Sequence, residues 1–157
     1  MLKRNETAAF DLLSYFEGTT TAVGVFEDRR GRIKRRFAVE LTGRARGSAL
    51  VLDERFLFDD GERQTRVWTL TRGTGEGFAG RCEDSTGEAR GRFLKGCATL
   101  ESELLVRVGS RKLALRFDDV FYDAGAGAVL NRSTVSKWGI RLGQVLILFR
   151  KPAQGSP

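Results

Sequence analysis

Apolar and polar residues alternate one by one along most of this chain. The clearest run places Leu113, Leu115, Phe117, Asp119 and Phe121 at every second position. Successive side chains of a β-strand point to opposite faces, so this period of two predicts strands with one buried face. Short polar connections separate the runs, and none is long enough for a crossover helix. Neighbouring strands should therefore pair in antiparallel fashion.

About ten such runs follow one another, spaced by turns that glycine and aspartate favour. They cover residues 19–27, 33–41, 50–58, a run around Arg66 and Trp68, then 78–82, 89–94, 100–108, 113–121, 128–135 and 140–149. Residues 43–47 are among the predicted turns. Residues 8–16 instead space their apolar side chains as a short helix does. We predict an all-β protein: a single antiparallel up-and-down β-barrel of the lipocalin-like type, with about 8–10 strands and a short N-terminal helix.

Composition limits the class of protein. The 157 residues are 41% hydrophobic and 30% charged, as expected for one soluble globular domain, and 19 glycines against 2 prolines suit repeated hairpins. We place this domain at residues 1–151 and a disordered tail at 152–157. No stretch approaches the roughly 20 apolar residues of a membrane span. Met1 to Thr7 lacks the apolar core of a secretory signal, so we expect a cytoplasmic protein, with a membrane-peripheral position as an alternative.

The formal charge of +7 would attract polyanions. Binding of single-stranded nucleic acid would need exposed aromatic side chains between basic ones on one strand face. Here the aromatic residues fall mostly on the apolar face, so we expect no nucleic-acid partner and retain an anionic membrane surface as a candidate. The two cysteines, Cys82 and Cys97, should be free, because the expected hairpin register does not bring them together. The sequence does not determine the oligomeric state.

Four charged residues fall in step with apolar neighbours: Arg35, Glu54, Arg66 and Asp119. Arg66 is the least expected, because it shares a strand face with Trp68 and Leu70. A buried charge is costly unless it is paired, and one interpretation is that the four form internal ion pairs.

The other interpretation is a ligand site. Arg66, with Arg35 or Arg132 nearby, would hold the carboxylate or phosphate head of a small molecule. Asp119 or Glu54 would orient the arginine. Aromatic side chains would enclose an apolar tail; they are Trp68, Phe37, Phe56, Phe117 and Phe121.

Several catalytic arrangements are excluded. The chain has no histidine and therefore no Ser-His-Asp or Cys-His nucleophile system and no histidine metal ligand. Asp118 and Asp119 are adjacent on a predicted strand, point to opposite faces and cannot share a substrate. We expect no metal and no cofactor. An enzyme acting on acyl lipids, with Asp119 or Tyr122 transferring a proton, stays an alternative.

Polar residues are dense in residues 131–139, between two apolar strands. We expect Lys137 to lie in a polar turn and Trp138 to pack on the barrel. The alternative is that this pair anchors an anionic lipid head, as in a ligand-free barrel that serves as an interaction module at an anionic surface.

Several short motifs occur in a fixed order over nearly the whole chain: Phe16-Glu17-Gly18, residues 24–29 with Gly31, Asp60-Gly61-Glu62 with residues 66–68, Phe117-Asp118-Asp119 with Tyr122, and Asn131-Arg132 with residues 137–139. Together they resemble a bacterial family catalogued as domain of unknown function 3833. The resemblance implies membership but no mechanism. Many relatives resemble lipoproteins with a signal and a lipidated cysteine near the start, from which this chain departs.

The resemblance also favours a lipid-type ligand, because genes of this family often lie beside genes for the modification of fatty-acyl chains. The architecture resembles the lipocalin and fatty-acid-binding barrels, although a shared fold does not establish a shared function. Our primary hypothesis is non-enzymatic binding of a fatty-acyl or similar amphipathic small molecule inside the barrel.

Overall fold

Each predicted period-two run is a strand in the computed structural model, which describes residues 8–152. The elements are α1 (Leu12–Tyr15), β1 (Gly18–Asp28), β2 (Ile33–Arg46), β3 (Ala49–Phe58), β4 (Arg63–Arg72), β5 (Gly77–Arg81), β6 (Ala89–Leu94), β7 (Cys97–Val108), β8 (Arg111–Gly125), β9 (Ala128–Lys137) and β10 (Ile140–Arg150). Each strand pairs antiparallel with the next, and β1 pairs with β10 from Thr21↔Arg150 to Asp28↔Gly143. The sheet therefore closes into an up-and-down barrel without a free edge, as predicted.

Several element boundaries differ from the prediction, and β8 extends to Gly125 instead of residue 121. The expected turn at residues 43–47 is wrong, since β2 continues to Arg46 and only the two residues that follow turn the chain. Gly43 lies inside the strand, where the backbone carbonyl of Phe16 passes so close that a Cβ would clash. The helix is also shorter than the predicted residues 8–16. The predictions for Met1 to Thr7 and for the tail fall largely outside the described residues, and the domain limits remain predictions.

The short helix seals one end of the barrel. Leu12 and Leu13 are buried, and the ring of Phe16 packs edge-on against Phe149 and Phe121, with ring centroids 5.1 and 6.3 Å apart. These contacts bring the helix against β8 and β10. The opposite end, where β1 leads into β2 and β9 into β10, is the mouth.

The interior is filled unevenly along the barrel axis. Large side chains fill the half next to the helix, and glycines give them room: the ring of Phe78 lies over Gly91, and Trp68 and Leu70 lie over Gly80. Inward-facing side chains nearer the mouth are only half-buried; they are Phe37, Phe56, Phe58, Gln64, Arg66 and Phe117. The barrel is thus packed at its sealed end and open towards its mouth.

Both cysteines are free, as expected. Within residues 8–152, no helix has the length and apolar character needed to cross a membrane.

Candidate ligand site inside the barrel

Arg66 projects from β4 into the half-open part of the interior. The β3–β4 register sets Glu54 directly opposite, and Arg66 Nε lies 3.7 Å from Asp84 Oδ2. That distance is too long for a hydrogen bond, and Nε is a buried donor without an acceptor among the described residues. A buried donor left unpaired is costly, so this guanidinium retains unused capacity for an acceptor.

Glu54 titrates near neutrality at this site. Burial is the main cause and raises the pKa of Glu54 to about 7, while the positive charge of Arg66 works in the opposite direction and the charge of Asp119 adds to the rise. Glu54 alternates with the buried Leu50 and Leu52 on β3, and Asp119 alternates with the buried Phe121 on β8, so both carboxyl groups face the interior. Because like charges disfavour joint ionisation, the interior can hold a proton at neutral pH.

Asp119 lies on β8 and belongs to a second polar group. Burial raises the pKa of Asp119 to about 6, although hydrogen bonding from Asn131 and the nearby hydroxyl of Ser133 lower it. Asn131 Nδ2 donates to Asp119 Oδ1 at 3.0 Å. Ser133 Oγ is buried and lacks hydrogen-bonding geometry to any described partner. The Ser133 hydroxyl therefore lies beside the Asp119 carboxyl without a hydrogen bond of ordinary geometry.

Glu54 and Asp119 are half-buried. Glu54 and Asp119 are deep enough for burial to dominate their pKa values, yet each keeps part of its surface accessible. Half-exposed aromatic rings continue from there towards the mouth, with the ring centroid of Phe56 5.7 Å from the guanidinium carbon of Arg66. An interior that combines apolar walls with a few convergent polar groups is typical of a small-molecule site.

The family model described as "Protein of unknown function (DUF3833)" matches residues 2–151 of this chain. The chain belongs to that family. Among curated protein sequences, none matches it.

The S-type phycobiliprotein lyase CPES from Guillardia theta has a similar structure, with a TM-score of 0.63 and 7% identity over 90% of this chain and 92% of that chain. A redesigned β-barrel, mFAP1, solved bound to DFHBI, gives a TM-score of 0.47 and 10% identity over 88% of this chain and 97% of that chain. The likeness to CPES shows a shared barrel fold.

In this DUF3833 protein, three of the four predicted interior charges face the half-buried interior. Glu54, Arg66 and Asp119 share the interior, as strand parity predicted. Arg35 lies at the mouth instead, where its Nη2 donates to Asp60 Oδ2 at 3.0 Å and to Glu62 Oε2 at 2.7 Å. Carboxylates of the protein thus already neutralise Arg35.

Arg132, which was predicted as a possible neighbour of Arg66, and Tyr122 both lie on the outer face. Arg132 points outward, because its neighbours Asn131 and Ser133 take the inward positions on β9, and it donates to the hydroxyl of Tyr122 at 3.2 Å. Tyr122 is likewise on the outer face, so neither residue reaches the interior group around Arg66.

The predicted aromatic residues all belong to the core but occupy different levels. Phe37, Phe56 and Phe117 are half-buried, whereas Trp68 is buried and Phe121 packs against the helix at the sealed end. Fewer aromatic side chains than predicted therefore line the half-buried part of the interior.

Sequence reasoning missed Asp84, Asn131 and Ser133. The last two could have been found, because they alternate with Val129 and Val135 and so share an inward face. Asp84 comes from the connection between β5 and β6 and carries no periodic signal. In the part of the chain that the structure describes, no group of three or more cysteine and acidic side chains could hold a metal ion.

Proposed function

We propose that this protein binds an amphipathic small molecule, of the fatty-acyl class or similar, with its acidic head at Arg66. The observation that carries the proposal is the unpaired Nε of Arg66, a cationic donor held inside a half-open apolar barrel. Planar guanidinium groups bind carboxylates through two parallel hydrogen bonds, so an acidic head is the chemical group that suits this donor best.

The neighbouring carboxyls are compatible with an anionic head. Asp84 is too far from Arg66 Nε for a hydrogen bond, so an incoming carboxylate does not have to break one at that atom. Glu54 has a pKa of about 7 and can therefore be protonated beside the ligand. The protonated form neither repels the acidic head nor neutralises the charge of Arg66. The half-exposed rings of Phe37, Phe56 and Phe117 would contact the apolar body.

The first test changes the ligand and leaves the protein intact. Oleic acid and methyl oleate have the same tail, but only the acid offers a carboxylate to Arg66. We expect the acid to bind at least ~10-fold more tightly in calorimetric or fluorescence-displacement titrations, because a charge-assisted bidentate bond is worth about 1.5–3 kcal/mol. Equal affinities would rule out Arg66 as the head-group residue.

Arg66→Leu is the matching protein variant, and it should abolish the preference for the acid while circular dichroism stays unchanged. Arg81→Leu is the control, since Arg81 is an exposed arginine on the adjacent β5. Native mass spectrometry with organic extraction would identify any molecule that co-purifies. Loss of folding in Arg66→Leu, together with no discrimination between acid and ester, would instead identify Arg66 as a structural ion-pair partner.

The second partner that we propose, an anionic membrane surface, concerns the outside of the barrel. Its support is the distribution of charge and exposed apolar side chains around the mouth.

A further inference from the structure

Charge is divided between two halves of the mouth. Residues 29–34, 109–112 and 137–141 comprise the β1–β2, β7–β8 and β9–β10 connections with the adjoining ends of the strands, and they contain eight basic and no acidic residues. Residues 59–62 and 82–88, in the β3–β4 and β5–β6 connections, contain six acidic and no basic residues. The strand order makes the three basic connections neighbours. We call them the basic rim; Asp28 partly neutralises it, at 3.6 Å from Arg32 and 3.9 Å from Lys34.

Large apolar side chains are exposed on the same half of the mouth. Trp138 is 87% exposed, Ile140 56%, Val108 51% and Ile33 46%. The expectation that Trp138 packs on the barrel is therefore wrong. Exposed apolar side chains surrounded by basic ones indicate an interaction surface, and Trp at such a position is typical of contact with a membrane interface.

The backbone at Trp138 provides a second, independent observation. Trp138 and Gly139 form the two-residue connection between β9 and β10, and both have positive φ, 52° and 76°. Hairpin turns with two positive φ values favour Asn-Gly, and a bulky aromatic residue there is strained. The turn itself does not require tryptophan. Lys137 is the basic neighbour of the ring: its Nζ lies 4.6 Å from the ring centroid and donates to the carbonyl of Ala114 at 2.9 Å.

We infer that the basic rim docks on an anionic lipid surface, with Trp138, Ile140, Val108 and Ile33 entering the interface and the arginines and lysines contacting head groups. Charge complementarity selects an anionic partner. The apolar side chains stand on three separate turns, which a fluid lipid interface accommodates without a matching shape. Docking in this orientation brings the mouth to the bilayer, so an amphipathic ligand could enter the barrel directly. The docking rests on the proposed membrane partner and identifies its surface, and only the entry of a ligand also rests on the proposed ligand site.

The primary measurement is co-sedimentation of the whole protein with vesicles. Phosphatidylcholine vesicles with roughly 30% phosphatidylglycerol are compared with phosphatidylcholine alone. We expect binding to the anionic vesicles only, weakening as salt is added, with a blue shift of fluorescence that is absent in a Trp138 variant. Equal binding to both vesicle types, or no binding to either at low salt, overturns the inference; the second result would leave an acidic protein as the partner of the rim.

Trp138→Asn separates docking from folding. It creates the preferred Asn-Gly pair, so the melting temperature should stay or rise, while vesicle affinity falls at least ~10-fold. Arg29→Gln with Arg30→Gln should lower the affinity roughly 30-fold, since each basic residue near an anionic surface contributes about a five-fold factor. Arg44→Gln with Arg46→Gln is the matched control, because it removes the same charge from the sealed end.

A second apolar surface on the outer wall is the competing explanation. A shallow groove there is lined by Val23, Leu57 and Leu130, among others. Val23→Ser with Leu130→Ser should leave vesicle binding unchanged, and loss of binding in this variant but not in Trp138→Asn would overturn the inference. Arg66→Leu should lose acid-specific ligand binding and keep vesicle binding. A failure of docking is thus distinguishable from a failure of the proposed ligand site.

Discussion

Asp119 links the stability of the barrel to pH. Burial raises its pKa from 3.8 to about 6, so the folded chain holds this proton more tightly than the unfolded chain does. A carboxyl whose pKa is raised by folding contributes fully to the stability of the folded chain at pH values below its pKa in the unfolded chain. This contribution is lost as the pH rises through its pKa in the folded chain. Asp119→Asn should therefore be more stable than the wild type by about 2 kcal/mol at pH 8 and equally stable near pH 4, as measured by urea unfolding.

Asp118→Asn is the natural control, because Asp118 is the adjacent carboxylate and lies on the outer face, where it accepts from Arg116 at 2.9 Å. Removing that exposed ion pair should change stability by less than about 1 kcal/mol, without the rise at alkaline pH. Asparagine at position 119 can still accept from Asn131, so the substitution tests charge rather than shape. A wild type and an Asp119→Asn variant with parallel pH profiles would show that Asp119 is not costly to ionise.

At the scale of the element, the sealing helix depends on Asp11. The Asp11 side chain is the N-cap and accepts from the backbone N–H of Ser14 at 3.1 Å, and its Oδ2 lies 3.0 Å from Arg72 Nη2. A single-turn helix has little stability of its own, so this cap and the buried leucines hold it in place. Asp11→Ala should cost about 1–2 kcal/mol in chemical denaturation.

Asp11→Asn separates the two contributions of that residue, because asparagine caps a helix but carries no charge to form an ion pair with Arg72. It should retain most of the stability. Burial works to raise the pKa of Asp11, but hydrogen bonds from Arg72 and Ser14 lower it overall. The sign is thus opposite to that of Asp119: the contribution of the ionised Asp11 side chain is lost as pH falls through its lowered pKa. The stability difference between the wild type and the Ala variant should therefore decrease in strong acid.

Elements with a regular period were predictable, and those that depend on tertiary contact were not. The alternation in residues 113–121 predicted β8 because it reflects the pleat of the strand. Gly43 was wrongly assigned to a turn. It lies in a strand, where the absence of a side chain leaves room for the backbone carbonyl of Phe16, a contact distant in sequence. In the candidate site, too, residues on regular strands were predictable and residues on connections were not. Parity predicted that Arg66 and Asp119 face inward, whereas the approach of Asp84 depends on how a non-periodic connection folds back.

At the scale of the whole molecule, the barrel wall is uneven. β5 and β6 have five and six residues, against 12 and 15 in β7 and β8. Gly80 and Gly91 lie within the short strands, and glycine in a strand contributes no side chain to packing. The β5–β6 hairpin should therefore open at a lower free energy than the rest of the wall, with its amides the least protected strand amides in native-state hydrogen exchange.

The same hairpin carries Asp84 towards Arg66, so its opening and the occupation of the interior should be coupled. A fatty acid bound at Arg66 would contact the closed barrel only, and binding that favours the closed form must slow exchange in β5 and β6. We expect oleic acid to increase protection there while leaving the β7–β8 hairpin unchanged, and Arg66→Leu to remove the effect. Equal protection of the amides in every strand, or a uniform increase in protection with ligand, would contradict this prediction. Either result would show that the barrel opens only by global unfolding and that the β5–β6 hairpin does not open by itself.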